Sequence, residues 1–283
     1  MNVELRQLRA LVAVVEAGTF TDAAASLDVS QAAVSRSIAA LEHALGVRVL
    51  ERSTRHVALT AHGTQVLAAA RRILDELAHL QRIAEQSREL RVGYAWAALG
   101  KHTRRLQRAW TGAPLVFVQS NTVSAGLSEG TADVAVVRRA LQDPRFETAL
   151  IGTEGRCAAV ATDNPLARRR TVTVADLARY TVAIDDRTGT TTLDLWSPGP
   201  GPVAVRATHG VDEWLTLIAA GQAVGITSEA TANQNPRPGV AYRMLRHAPR
   251  IEVWLAWWRD SPPAGLADLV RLSRAAYGSS ARP

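Results

Sequence analysis

The sequence predicts an α/β chain of several domains: a small helical domain closed by a β ribbon, one long helix, and a two-lobed α/β domain. Three observations carry that expectation. Residues 5–45 hold helical apolar stripes parted by short polar turns, with strand-like Val47–Leu50 and Val57–Leu59 behind them. No proline interrupts residues 61–90, where apolar side chains recur at alternating steps of four and three. From Leu90 onward, short apolar runs alternate with helical stretches, the pattern of strands joined by crossover helices in a parallel sheet.

At 283 residues the chain can bury more than one core. Hydrophobic residues at 47% and charged residues at 21% make it globular rather than disordered. The formal net charge of +7 admits an anionic partner such as nucleic acid, without requiring one. Lys101 is the only lysine, so the positive charge is almost all guanidinium. Cys157 stands alone, which rules out an internal disulfide and suits a small buried residue in a reducing compartment. The apolar run Ala10–Val15 is short and ends at Glu16, so no signal peptide is expected. No stretch reaches the ~20 apolar residues of a membrane span, and the cytoplasm is the expected location.

Leu5, Leu8, Leu11, Val12 and Val15 form a first helical stripe, closed by Gly18. Thr19 or Thr21 can cap a short second helix over Asp22–Leu27, with Asp22 at its positive end. Its Ala23, Ala24 and Ala25 let a neighbouring helix come close. Asp28-Val29 turns the chain and Ser30 caps a third helix, where Val34, Ile38, Leu41 and Leu45 face inward. Gln31, Ala32, Ser35, Arg36 and Ala39 then face outward. Two helices joined by so short a turn have helix-turn-helix geometry, and a slim polar N-terminal face can enter a DNA major groove. The ribbon that follows carries a basic tip, in which Arg52 and Arg55 can reach phosphates or a narrow minor groove.

Thr60 can cap the long helix. Val66, Ala70, Ile73, Leu77, Leu80 and Ala84 follow the spacing of an a/d seam. A helix over 61–89 would be roughly 43 Å long at 1.5 Å per residue. Its stripe is narrow, so a partner helix explains it better than burial within one globule.

Strands are predicted at Leu90–Tyr94, Leu115–Val118, Ala132–Val137, Thr148–Ile151, Arg156–Ala161, Thr181–Ile184, Val203–Ala207, Ala223–Thr227, Tyr242–Leu245 and Ile251–Trp258. Helices are predicted at Gly100–Trp110, Ser124–Glu129, Val174–Ala178, Val211–Ala220 and Pro263–Tyr277. Pro165–Arg170 is a polar, basic excursion. Ser197–Pro202 and Asn235–Gly239 are turn-rich loops that can be neither helix nor central strand.

Open α/β sheets bind ligands beyond the carboxyl ends of their strands. That makes candidates of four loops: 95–99, 119–123, 185–190 and 208–212. They offer Trp96 as an apolar wall and Ser120, Asn121, Thr122, Thr188 and His209 as hydrogen-bonding groups. A helix N-terminus among them could hold a carboxylate. Catalytic motifs are missing: no GxGxxG after a strand, no phosphate loop, no HExxH and no CxxC. Asp185 and Asp186 are adjacent on a strand end and point to opposite sides, which suits a metal pair poorly. No catalytic residue, metal ligand or cofactor is therefore expected.

The run Phe20-Thr21-Asp22-Ala23-Ala24, then Ser30–Ile38, Leu41-Glu42, Leu45–Arg52 and Leu59-Thr60-Ala61-His62-Gly63, resembles the winged helix-turn-helix of LysR-type transcriptional regulators. The likeness covers about the first 65 positions. The family commonly has proline where Ala32 stands and phenylalanine where Leu50 stands. Beyond Leu90 the likeness rests on Leu90–Gly93, Gly130–Val136 and Ala220–Ile226.

The resemblance implies a winged helix-turn-helix over 1–60, a linker and dimerisation helix over 61–89, and a periplasmic-binding-protein-like effector domain over 90–283. Lobe I of that domain is expected at about 90–161 and 242–283, and lobe II at about 162–241. The expected DNA-contacting set is Ser30, Gln31, Ala32, Ala33, Ser35, Arg36, Arg52 and Arg55. The effector would lie between the lobes. Relatives commonly place a serine or threonine after the first strand, where this chain has Tyr94-Ala95-Trp96-Ala97-Ala98. That adds Ala98 to the effector set and suggests a larger, more aromatic effector. Expected partners are double-stranded promoter DNA, a small-molecule effector and further copies of the chain, as a homodimer or a dimer of dimers. An enzyme lacks its motif, and a solute-binding protein would need an export signal and no helical domain in front.

Overall fold

A computed structural model describes residues 2–51, 57–84 and 89–278. The chain divides into two compact units, Met1–Glu85 and Gln86–Pro283.

In the first unit, α1 (Leu5–Ala17) starts at Glu4, which forms a reciprocal capping box with Gln7, and stops at left-handed Gly18. α2 (Phe20–Ser26) is capped by Thr19, whose hydroxyl accepts from the Asp22 amide at 3.1 Å. The choice left open between Thr19 and Thr21 thus falls to Thr19. α3 (Gln31–Leu45) is capped by Ser30 and ends at Gly46, φ 69°. Leu8, Leu11, Val14, Ala23, Ala24, Val34, Ile38 and Leu41 form one core.

The ribbon behind α3 is anchored rather than free. Glu42 accepts from the amides of Val49 and Leu50 at 2.8 and 3.2 Å. Leu50 bridges Leu59 antiparallel. Gly63 lies so close to Val49 that a Cβ there would sit 2.0 Å from the Val49 carbonyl oxygen. That contact, rather than turn chemistry, requires the glycine. Arg52 and Arg55 lie outside the described residues.

α4 (Ala61–Ala84) is capped by Thr60, which accepts from the Gly63 amide at 2.8 Å. It corrects the expected seam. Leu67 and Ala70 are buried in the first unit's core, with Val66 and Leu74 packed against it. Ala70, at 1% exposure, is therefore spent on this unit's own fold. Two stripes share the helix, and heptad spacing alone does not separate them. Ile73 and Leu80 stay 47% and 62% exposed, with Leu77 half-buried between them. Ala84 is helical, and its side chain lies outside the described set.

The second unit holds two sheets. One is ordered β2-β1-β3-β11-β4 and the other β6-β10-β5-β9-β7-β8. The first uses β1 (Leu90–Tyr94), β2 (Leu115–Gln119), β3 (Val134–Val137), β4 (Phe146–Glu154) and β11 (Ile251–Trp258). The second uses β5 (Arg156–Ala161), β6 (Thr171–Thr173), β7 (Thr181–Ile184), β8 (Ala204–Ala207), β9 (Val224–Ser228) and β10 (Val240–Arg246). Helices α5 (Thr103–Ala109), α6 (Val174–Leu177), α7 (Val211–Ala219), α8 (Glu229–Gln234) and α9 (Leu266–Gly278) complete the unit.

Three expectations change here. The sheets are mixed: β11 runs antiparallel to β3 and β4, and β5 runs antiparallel to β9 and β10. The reason is that the chain passes between lobes twice and each return strand enters from the opposite direction. Second, the crossings are not near Ala161 and Tyr242. They lie at Gly155, between β4 and β5, and at residues 247–250, between β10 and β11. Lobe I accordingly keeps β4 and β11, and β5 and β10 belong wholly to lobe II. Third, Ser124–Glu129 is a run of turns with Ala125 and Gly126 at positive φ, and α8 was not expected at all.

Candidate nucleic-acid interface and ligand cleft

The outward face of α3 gathers the predicted DNA-contacting residues that fall among those described. Ser30 accepts from the Ala33 amide at 3.2 Å, which fixes the first turn. Gln31, Ala32 and Arg36 are exposed, and Ala33 and Ser35 are half-buried at the edge of the same face. Beside it, an open groove of about 620 Å³ runs between α1 and α3. Arg6, Arg9 and Arg36 surround it, over a floor that includes Val29, Ala33 and Ala40. Arg6 is paired with Glu4 at 2.6 Å. Sequence reasoning passed over Arg6 and Arg9; the signal was their place on the face of α1 opposite its apolar stripe.

Between the two sheets of the second unit lies a cleft of about 280 Å³. Lobe I lines it from Ala95 and Trp96, from Thr122 and Val123, and from residues 136–142, the end of β3 and the loop after it. Lobe II lines it from residues 187–190 and from Thr227 and Thr231. Of the predicted effector residues, Trp96, Thr122 and Thr188 line this space. Asn121 sits one bond behind it. The others do not reach it. Ala98 is buried, its amide donating to Gln234 Oε1 at 3.0 Å. Ser120 shares a hydrogen bond with Thr122. His209 is turned outward onto Glu213. The 208–212 loop serves the cleft only indirectly. The loop after β3 also lies at a strand's carboxyl end and satisfied the same rule, yet was overlooked.

A latch joins the lobes across the cleft. The Trp96 indole donates to the Thr188 hydroxyl at 2.9 Å. That hydroxyl, with one proton to give, faces Asn121 Oδ1 and Asp185 Oδ2, each at 2.9 Å. The indole is also packed edge-on against Trp214, ring centroids 5.2 Å apart, and is 7% exposed. It forms wall, not an open stacking platform.

Asp185 organises the lobe II side. Its carboxylate accepts from the amides of Arg187, Thr188 and Gly210 at 2.9, 3.0 and 2.7 Å. Burial pushes its pKa up, and these amides with the Thr188 hydroxyl outweigh that and hold it below the usual carboxylate range. Gly210, at φ 88°, lets the backbone turn its amide to this oxygen. The carboxylate is structural, and the neighbouring Asp186 is exposed. Among the described residues, no group of three or more His, Cys, Asp or Glu side chains comes together as a metal site. No helix among them is long and apolar enough to cross a membrane.

At the lobe I wall of the cleft, Arg138 donates to the Ala97 and Ala98 carbonyls at 2.6 and 2.7 Å and to Glu154 through two nitrogens. Burial opposes both charges. Their mutual attraction prevails, raising the Arg138 pKa and lowering that of Glu154. Cys157 is buried, and burial lifts its thiol to about 12, so it is an inert thiol.

The family described as "Bacterial regulatory helix-turn-helix protein, lysR family" matches residues 5–64, and "LysR substrate binding domain" matches residues 83–278. The chain is 37% identical over 207 residues to the uncharacterized HTH-type transcriptional regulator YnfL of Escherichia coli (strain K12), covering 69% of this chain and 70% of that one. It is 33% identical to the HTH-type transcriptional regulator TcbR of Pseudomonas sp. (strain P51), over 95% of this chain and 97% of TcbR. Among solved structures, full-length CbnR complexed with its target DNA is similar with a TM-score of 0.56 and 27% identity, covering 97% of this chain and 99% of that one.

Proposed function

The chain belongs to the LysR family of DNA-binding transcriptional regulators with an effector-binding domain, and from that premise we propose how its residues divide the work. Residues 1–60 read DNA, the helix over 61–89 spaces and pairs two copies, and the unit from residue 90 senses a small molecule. Gln31, Ser35 and Arg36 face base edges, with Ser30, Ala32 and Ala33 shaping the approach of the helix end. Arg52 and Arg55 hold the flanking backbone or minor groove, and Arg6 and Arg9 offer a further phosphate contact beside α3. Two copies then bind half-sites of a pseudo-palindrome, as a dimer or a dimer of dimers. A ligand between the lobes shifts the population of assembly states that bend DNA differently. The protein acts in the cytoplasm and as a regulator rather than an enzyme.

The observation that carries this reading is the capped α3, with an exposed Gln31-Ala32…Arg36 face over a fully apolar inner face. Selection of bound duplexes from a random-sequence library by the full chain tests it. The expected yield is a two-fold site with half-sites one helical turn, or a multiple, apart. A library that comes through unenriched would sink the reading.

A further inference from the structure

The cleft has a charge character that the sequence did not suggest. Not one of its lining residues is Asp or Glu, while Arg138, Arg139 and Arg187 all line it. Arg138 is neutralised by Glu154. The other two are not. The Arg187 guanidinium, on lobe II, bonds only the Asn121 carbonyl among the described residues, at 3.2 Å. Arg139, on lobe I, is exposed and has no ion-pair or hydrogen-bond partner among the described residues. In the same lining segment as Arg187, the Thr190 hydroxyl is buried and has no hydrogen-bond partner among the described residues. A buried hydroxyl without a partner costs stability, and a ligand oxygen would satisfy it.

The remaining wall is apolar: Trp96, Val123, Val136 and Leu141 among others. The Trp96 N–H is already committed to Thr188, so that end offers a ligand no donor. At about 280 Å³ the space lies at or below the ~300–1,000 Å³ of ordinary small-molecule pockets.

We infer that the effector is a compact organic carboxylate, its anionic end held by Arg139 and Arg187 from opposite lobes and by the Thr190 hydroxyl, its short apolar body against Trp96 and Leu141. This rests on the proposed reading of the cleft as the effector site. Guanidinium groups pair with carboxylates through two parallel hydrogen bonds, which gives both strength and orientation. One guanidinium on each lobe also makes the anion a bridge, so binding draws the lobes together.

The test uses the full chain and a panel of compact carboxylates, each matched with the amide and the amine of the same skeleton; cyclohexanecarboxylate, cyclohexanecarboxamide and cyclohexylamine form one such set, and butyrate, butyramide and butylamine another. Thermal shift and titration calorimetry read binding. Carboxylates are expected to bind where their amides and amines do not. The double variant Arg139→Gln/Arg187→Gln, at residues outside the protein's own ion pairs, is expected to weaken that binding about ten- to a hundred-fold. A panel in which only amines or amides bind, or in which no carboxylate binds, overturns the assignment. So does carboxylate binding that survives the double variant. Ala140→Trp, which fills the cleft, separates the two levels. Binding that resists the arginine changes but is lost on filling keeps the cleft and rejects the anion. Binding that resists both rejects the cleft as well.

Discussion

Arg138 and Glu154 form a two-point ion pair, 3.0 Å at each contact, with side chains only 8% and 5% exposed. The Tyr277 hydroxyl donates to the same carboxylate at 2.6 Å. The pair ties the residue that follows β3 to the last residue of β4, where the chain leaves lobe I. It also holds the 97–98 backbone through Arg138. Removing one member strands a buried charge. Arg138→Met should therefore cost about 3–5 kcal/mol in urea denaturation. Tyr277→Phe, which removes one bond to a charged acceptor, should cost about 1.5–3 kcal/mol. Losses near zero for both would mean water already serves these groups.

Acid should weaken the second unit in two stages. His102 is buried and held below its ordinary value of 6.5, first by burial and then by Lys101, with Arg105 adding to the effect against Glu154 and Glu229. The folded state then binds fewer protons than the unfolded one, so this contribution is complete above pH 6.5 and fades as pH falls through the lower folded value. Glu154 and Asp185 are lowered too, and their contribution is lost further down, below the carboxylate range. Melting temperature should fall from pH 7 to 5, and His102→Gln should flatten that first slope. An unchanged slope would show that His102 takes up its proton over the same pH range in the folded and unfolded states.

The two stripes of α4 should separate by mutation. Leu77→Glu with Leu80→Glu should give monomers in sedimentation velocity while circular dichroism stays native. Ala70→Asp should instead melt the first unit, because Ala70 is buried in its core, and an uncompensated buried carboxylate costs several kcal/mol, about 3–5 by analogy with a broken buried pair. Intact dimers from the double glutamate variant would remove Leu77 and Leu80 from the interface.

Arg36→Ala should cost about 1–3 kcal/mol on the selected site and flatten preference at one base position, if the side chain meets a guanine edge. Arg9→Ala should weaken binding to all sites alike and lower the salt slope by about one. Fluorescence anisotropy across a panel of single-base variants distinguishes the two patterns. Equal losses over the whole panel for Arg36 would make it a phosphate contact.

Legibility in the sequence followed local physics. Ser30, Gly18, Gly46 and the Val34–Ile38–Leu41 stripe specify the N-terminal helices within a few residues, because caps and periodicity act over one or two turns. The expected helix at 124–129 failed where Ala125 and Gly126 adopt positive φ, a requirement set by packing against β1: a Cβ on Gly93 would meet the Ala125 carbonyl oxygen at 1.8 Å. α8 escaped notice because Glu-Ala-Thr-Ala-Asn-Gln carries no apolar stripe, only Ser228 as its cap. The crossing at Gly155 was hidden because Gly152-Thr153-Glu154-Gly155-Arg156 reads as an ordinary break between two strands and says nothing of which sheet the next strand joins. The cleft's polar chemistry was legible in type, as hydroxyls and Trp96 on loops. Which of them face the cavity depends on tertiary turns that no local pattern encodes.

Gly155 and residues 247–250 pass between the lobes side by side, and Arg156 donates to the Pro249 carbonyl at 2.9 Å, strapping one passage to the other. Two adjacent straps behave mechanically unlike one. Rotation about the line through them is soft, while sliding and twisting would stretch one strand against its neighbour. Whatever enters the cleft therefore acts on essentially one coordinate, the opening angle. A ligand needs only to favour one value of that angle to send the rest of the molecule a graded but unambiguous signal.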